Sequence, residues 1–176
     1  NQLCNLSQLA LYRGDAGAAL AHARAGLEIS IAVEDRRTQV FAMCALGNAE
    51  LAAGRPGQAT EAFERARATA LEAASPTRHD ACAGLARAAL ARNDLPGALA
   101  WVDELAPCIS DADELGGTEQ PRLIQWTCHQ VFARAGDARA ATVLAAARAA
   151  LNLRAATFTD ARAACFCDIY LFQQEV

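Results

Sequence analysis

The chain has 176 residues, a formal net charge of −4 and a sequence pI near 5.4. About a quarter of the residues are alanine and every basic residue is arginine, so helix formers dominate and no basic field predicts binding to nucleic acid. No apolar stretch is long enough for a membrane span and no signal peptide is recognisable, so we expect a cytoplasmic protein that does not contact a membrane.

A short segment recurs four times along the chain, at intervals of about 40 residues. The copies occupy residues 14–19, 54–59, 93–98 and 136–141, and each begins with Gly or Asn and ends with Ala. Gly or Asn can adopt the left-handed conformation that ends a helix, and the aspartates that follow three of them can cap the next helix. Pro56 suits a first helical turn. Each segment therefore predicts the tight turn of an antiparallel helix pair.

Apolar residues flank these turns at the spacing of an amphipathic helix. In the first helix, Leu3, Leu6 and Ala10 are predicted to form the buried face. No stretch alternates with a period of two residues, so strands are not expected. The sequence therefore predicts an all-α protein.

We expect a single domain, residues 1–176, built from four helix pairs and a capping helix. The helix pairs are predicted at about residues 1–33, 37–73, 77–107 and 121–151, and the capping helix at about 160–174. Pro76 is predicted to begin the third pair. Residues 107–121, with Gly116, Gly117 and Pro121, predict the longest loop.

The segment 45–66 closely resembles a tetratricopeptide repeat (TPR). The matching positions are Leu46, Gly47, Gly54, Ala59, Phe63 and Ala66, and the other three copies are similar at fewer positions. The resemblance implies a TPR-like α-α superhelix, or solenoid. The period of about 40 residues and the alanine-rich tail also resemble the C-terminal helical-repeat regions of MalT/LuxR-type transcriptional activators and signalling ATPases. This second resemblance implies a sensor or interaction region of a larger bacterial regulator.

In TPR proteins the first helix of each pair lines a concave surface that binds a protein or peptide partner. The residues that this resemblance places there are Gln8, Tyr12, Asn48, Arg87, Trp126, Gln130 and Arg134. An alternative is that the two aromatic residues pack between helices and the two arginines are solvated. Some family members bind a peptide carboxylate with a lysine–asparagine–arginine clamp. Asn48 and Arg87 match two of its positions, but the chain has no lysine, so chaperone-tail binding is not expected.

No catalytic or nucleotide-binding motif is present in the sequence. Cys128–His129 and Cys165–Cys167 are the only spacings that suggest a metal. Residues i and i+2 of a helix point about 200° apart, so Cys165 and Cys167 cannot both face one ion, and structural zinc needs four converging ligands. Neither a metal site nor a cofactor is therefore expected. We expect a non-catalytic docking module. The alternatives are a homo-oligomerisation scaffold, such as a homodimer, and a Cys/His-dependent hydrolase.

Overall fold

The computed structural model describes residues 2–109 and 115–156, which form eight α-helices and no strand. The helices are α1 (Gln2–Tyr12), α2 (Ala16–Ala32), α3 (Arg36–Ala52), α4 (Pro56–Glu72), α5 (Arg78–Ala91), α6 (Leu95–Ile109), α7 (Pro121–Arg134) and α8 (Arg139–Ala155). The all-α prediction is confirmed for these residues. The predicted capping helix at about 160–174 lies outside them.

Each helix packs against the next one along the chain. The odd-numbered helices also contact one another, α1 with α3, α3 with α5 and α5 with α7. The first helices of successive pairs therefore lie side by side. Within the described residues, no helix combines the length and the apolar character that crossing a bilayer requires.

The turns within the four pairs have the backbone conformation predicted from their sequence. Gly14, Gly54, Asn93 and Gly136 have φ angles of 75°, 71°, 58° and 69°, in the left-handed region that glycine and asparagine adopt most readily. The prediction that these residues end the first helix of each pair is confirmed.

Side chains complete several of these turns. Asp15 accepts a hydrogen bond from the backbone N–H of Ala18 (2.8 Å), and Asp94 accepts one from Gly97 (2.9 Å). These bonds satisfy N–H groups that the first helical turn leaves without a partner. Asp137 accepts from the N–H of Arg139 (2.9 Å), two residues away.

Two helix boundaries lie one or two residues from those predicted for the third pair. Helix α6 continues through Pro107 to Ile109, because Ile109 is buried in the core formed by α5, α6 and α7. Pro76 does not begin the third pair, since α5 starts at Arg78. The ring of Pro76 instead lies against Gly117, where a Cβ atom would be 2.9 Å from its Cγ atom.

The predicted buried face of α1 is also wrong in part. Leu6 is 44% exposed, whereas the neighbouring Ser7 is fully buried. The hydroxyl of Ser7 donates a hydrogen bond to the carbonyl oxygen of Ala19 (2.9 Å), which satisfies its polar group inside the helix pair. A small residue is needed here because α1 and α2 approach closely, and serine meets that need.

Phe63 joins α4 to both α3 and α5. Its ring is fully buried between Gly47 and Gly84. A Cβ atom at Gly47 would lie 2.6 Å from the ring, and one at Gly84 would lie closer still. Because both positions are glycine, the ring of Phe63 can pack directly against α3 and α5.

Candidate functional site

A cavity of about 270 Å³ lies among the odd-numbered helices. Its walls come from α1, α3 and α5, from the first turn of α7 and from the residues just before α7. Of the seven predicted concave-surface residues, four line it: Gln8, Tyr12, Asn48 and Arg87. Phe63 lies at the base of the same cavity.

The three predicted residues of α7 do not line this cavity. Trp126 is partly buried and packs at a tilt against His129, with ring centroids 5.3 Å apart. Gln130 is partly buried, and Arg134 is exposed in the last turn of the helix. Only the first turn of α7 reaches the cavity, through Leu123 and Ile124.

Arg87 is the only cationic side chain among the residues that line the cavity. Its Nη2 atom donates a hydrogen bond to Oδ1 of Asn48 (2.9 Å), and its guanidinium lies 5.8 Å from the ring centroid of Phe63. Its Nε atom is buried and has no hydrogen-bond partner among the described residues. No ion pair within residues 2–109 and 115–156 includes Arg87.

Burial changes the acid–base behaviour of Arg87. Desolvation lowers the pKa of its guanidinium to about 10, and the charge of Asp80 opposes that shift only in part. A lowered arginine pKa means that the cation is poorly compensated where it lies. The alternative that Arg87 is a solvated surface charge therefore does not describe this side chain.

Asp80 lies on the same face of α5 as Arg87 and was not among the predicted site residues. Its carboxylate accepts hydrogen bonds from the backbone N–H groups of Glu119 and Gln120, both at 3.0 Å. Burial raises the pKa of Asp80 to about 6, and the nearby Glu119 acts in the same direction. Residues 80, 83 and 87 follow the i, i+3, i+7 spacing of one helical face. The prediction that Arg87 lies at the site could therefore have been extended to Asp80 on the same face.

The residues just before α7 contact the first helix of the chain. The side-chain amide of Gln120 donates a hydrogen bond to Oε1 of Gln8 (2.8 Å) across 112 residues of sequence. Leu115 is buried and secures the start of this segment in the core of the second half. Glu119 and Gln120, at the end of this segment, line one side of the cavity.

The cysteines near the cavity are held as neutral thiols. Burial raises the pKa values of both Cys4 and Cys44, which line the cavity, so thiolate nucleophiles are disfavoured there. Cys108 lies 3.7 Å from Nε2 of His79, and neither residue lines the cavity.

The described residues hold no group of three or more His, Cys, Asp or Glu side chains suited to a metal ion. Cys165 and Cys167 lie outside that part of the chain.

No model of a known protein family matches the chain, and no curated protein has a similar sequence. The cavity itself presents a guanidinium, a carboxylate, side-chain amides and apolar surface. Such a set can bind a polar ligand through charge-assisted hydrogen bonds, with apolar contacts around them.

Proposed function

We propose that the chain is a non-catalytic, TPR-like docking module that binds a protein or peptide partner. In this proposal the four helix pairs stack into a superhelix, and one group of the partner enters the cavity between α1, α3 and α5. The observation that carries the proposal is the guanidinium of Arg87, which faces a cavity with a neutral amide as its hydrogen-bond partner.

Burying the charged guanidinium of Arg87 costs free energy unless other groups compensate it. A buried arginine is stable when a carboxylate compensates it, and a buried donor without an acceptor costs about 1–3 kcal/mol. The buried Nε atom of Arg87 has no acceptor within residues 2–109 and 115–156, and Arg87 forms no ion pair there. A ligand oxygen at the cavity side of the guanidinium would add a charge-assisted hydrogen bond, so the cavity suits a polar partner.

In the same proposal, a bound peptide continues from the cavity along α7, past Trp126, Gln130 and Arg134. These three residues lie partly or fully exposed on one helix and follow a spacing of four residues. Four-residue spacing places side chains on one face of a helix. The module is the sensor or interaction region of a larger bacterial signalling or transcriptional regulator in the cytoplasm. It makes no direct contact with nucleic acid, in keeping with its acidic net charge.

A peptide selection tests the proposal. The full chain is used to select binders from a random library of displayed peptides, and their affinities are measured by fluorescence polarisation. We expect the double variant Asn48→Ala/Arg87→Met to weaken binding at least about tenfold, because it removes the charged hydrogen bonds in the cavity. The matched variant Trp126→Ala/Arg134→Ala should weaken it less.

Circular dichroism must show that both variants remain helical. Undiminished binding by the cavity variant, or a library that yields no binder to the wild-type chain, would overturn the proposal. Binding lost only in the α7 variant would place the interaction on that helix instead.

A homo-oligomerisation scaffold is a second candidate, favoured by apolar side chains on the first helix pair. Leu9, Ile29, Ile31 and Val33 are between 44% and 66% exposed. Exposed apolar patches often mark contacts between copies of a chain. Sedimentation velocity over a hundredfold range of concentration tests this, and Ile31→Glu should shift a dimer toward monomer. A concentration-independent monomer would contradict it.

A further inference from the structure

Two opposite charges line the same cavity without forming an ion pair. Asp80 and Arg87 both belong to α5 and lie seven residues apart, which is a rise of about 10.5 Å along the helix. The carboxylate of Asp80 is engaged by backbone N–H groups, and the guanidinium of Arg87 by Asn48.

We infer that the cavity binds a small zwitterion, with the carboxylate of the ligand on Arg87 and its ammonium group on Asp80. This inference rests on the proposed function, because it names the chemical class of the group that enters the cavity. An ammonium group and a carboxylate held a few ångströms apart are found in free amino acids and in short peptides. Both are therefore sources of the same chemistry.

The hydrogen-bonding capacity of both residues supports this assignment. A carboxylate has about four acceptor positions, and backbone N–H groups occupy two of those on Asp80. Within the described residues, Nη2 is the only guanidinium nitrogen of Arg87 with a hydrogen-bond partner, so donor capacity remains on this group. Each residue can therefore take a ligand group without losing its bonds to the protein.

The electrostatics of the cavity favour a ligand that carries both charges. The raised pKa of Asp80 and the lowered pKa of Arg87 show that neither charge is fully compensated in the free protein. Glu119 is exposed at the same side of the cavity and adds negative charge beside Asp80. A simple anion would meet these two carboxylates, whereas a zwitterion would place its cation there.

The size and the remaining walls of the cavity set limits on the ligand. A volume of about 270 Å³ holds on the order of nine water molecules at about 30 Å³ each, or an organic molecule of similar size. Apolar side chains from α4 and α7, namely Phe63, Leu123 and Ile124, line it as well. They suit a short methylene chain between the two charged groups of the ligand.

Isothermal titration calorimetry on the full chain tests the inference. The ligands are ω-aminoalkanoates from 4-aminobutyrate to 8-aminooctanoate, with hexanoate and hexylamine as compounds that carry one charge. We expect one chain length to bind at least about tenfold more tightly than either control compound, because only a zwitterion meets both charges. Diglycine and triglycine form a second arm, which separates a peptide source from a free amino acid.

Arg87→Met should weaken the best ligand at least about tenfold, whereas Arg92→Met, at the exposed end of the same helix, should leave its affinity unchanged. Asp80 also binds the residues before α7, so a substitution there would alter the cavity itself. Its contact with the ligand is therefore measured as the difference in affinity between the aminoalkanoate and hexanoate, which lacks the ammonium group. If hexanoate binds as tightly as the best aminoalkanoate, or if no compound of either arm binds, the inference is overturned. The peptide selection reports on the proposed function independently of that result.

Discussion

Two regions on either side of α3 handle a buried charge in opposite ways. Glu50 faces one side with its side chain 6% exposed, and it forms ion pairs with Arg24 (3.3 Å) and Arg55. Asn48 faces the other side and accepts a hydrogen bond from the guanidinium of Arg87. Within the described residues, Arg87 forms no ion pair with a carboxylate. Glu50 is compensated by two charged partners, whereas Arg87 has one neutral partner.

The difference separates a structural charge from one that is ready for a ligand. A buried ion whose partners come from the same chain holds helices together, and its removal destabilises the fold. A buried ion with an open hydrogen-bonding position gains stability only when something else binds. Glu50 links α3 to Arg24 of α2 and to Arg55 before α4, whereas Arg87 lines the cavity.

The largest expected effect comes from removing the ring of Phe63, which lines the cavity and also belongs to the core. Phe63→Ala should lower the free energy of unfolding by about 3–5 kcal/mol, because it leaves a void between α3 and α5 that two glycines cannot fill. Urea denaturation followed by circular dichroism measures this. A loss below about 1 kcal/mol would mean that the ring does not support these helices.

The comparison itself is tested by removing each charge in turn. Glu50→Ala should cost about 2 kcal/mol, because two ion pairs are lost although the remaining arginines can be solvated. Arg87→Met should change stability by less than about 1 kcal/mol, since it replaces a poorly compensated cation with an apolar side chain of similar length. Urea denaturation of both variants gives the two values, and a larger cost for Arg87→Met would reverse the assignment.

The smallest expected effect concerns pH and Asp80. Its pKa in the folded protein, about 6, lies above the ordinary value of 3.8 for an aspartate, so between these pH values the folded state binds more protons than the unfolded state. This group therefore makes the wild-type protein less stable as pH rises from about 4 to about 6, by on the order of 1 kcal/mol after allowance for partial exposure.

Asp80→Asn should remove that contribution. Thermal denaturation of both proteins at several pH values measures it as the difference between the two stability curves. A difference that stays constant from pH 4 to pH 6, or that changes in the opposite direction, would show that Asp80 does not titrate as described.

Local signals in the sequence were enough to predict the helix pairs. Glycine or asparagine at the turns adopts the left-handed conformation, and aspartates cap the helices that follow, because both effects depend on a few neighbouring residues. Helix α6 extends two residues past the predicted boundary at Pro107 because the burial of Ile109 outweighs the local preference of proline. Leu6 is exposed, contrary to prediction, and Ser7 is buried in its place because close packing of α1 on α2 favours a small residue.

The candidate site was predictable only in part. Position transfer from the TPR resemblance placed four of seven residues at the cavity, all on α1, α3 and α5. It missed Asp80 because the partners of that side chain, Glu119 and Gln120, are 39 and 40 residues away in sequence and depend on how the segment before α7 folds back. Trp126, Gln130 and Arg134 do not line the cavity, and their predicted place on a concave surface stays a prediction, because the rotation and reach of α7 depend on tertiary packing.

The central claim is that the guanidinium of Arg87 is where a ligand binds, and side-chain NMR tests it most directly. In protein labelled with ¹⁵N at arginine, the Nε–H signal that disappears in Arg87→Met identifies this group. On titration with the tightest peptide or aminoalkanoate, we expect this signal to shift and to saturate with the ligand, because a carboxylate bound to the guanidinium changes the electrostatic environment of its Nε–H group. An Arg87 signal that stays in place while the ligand saturates the protein would contradict it.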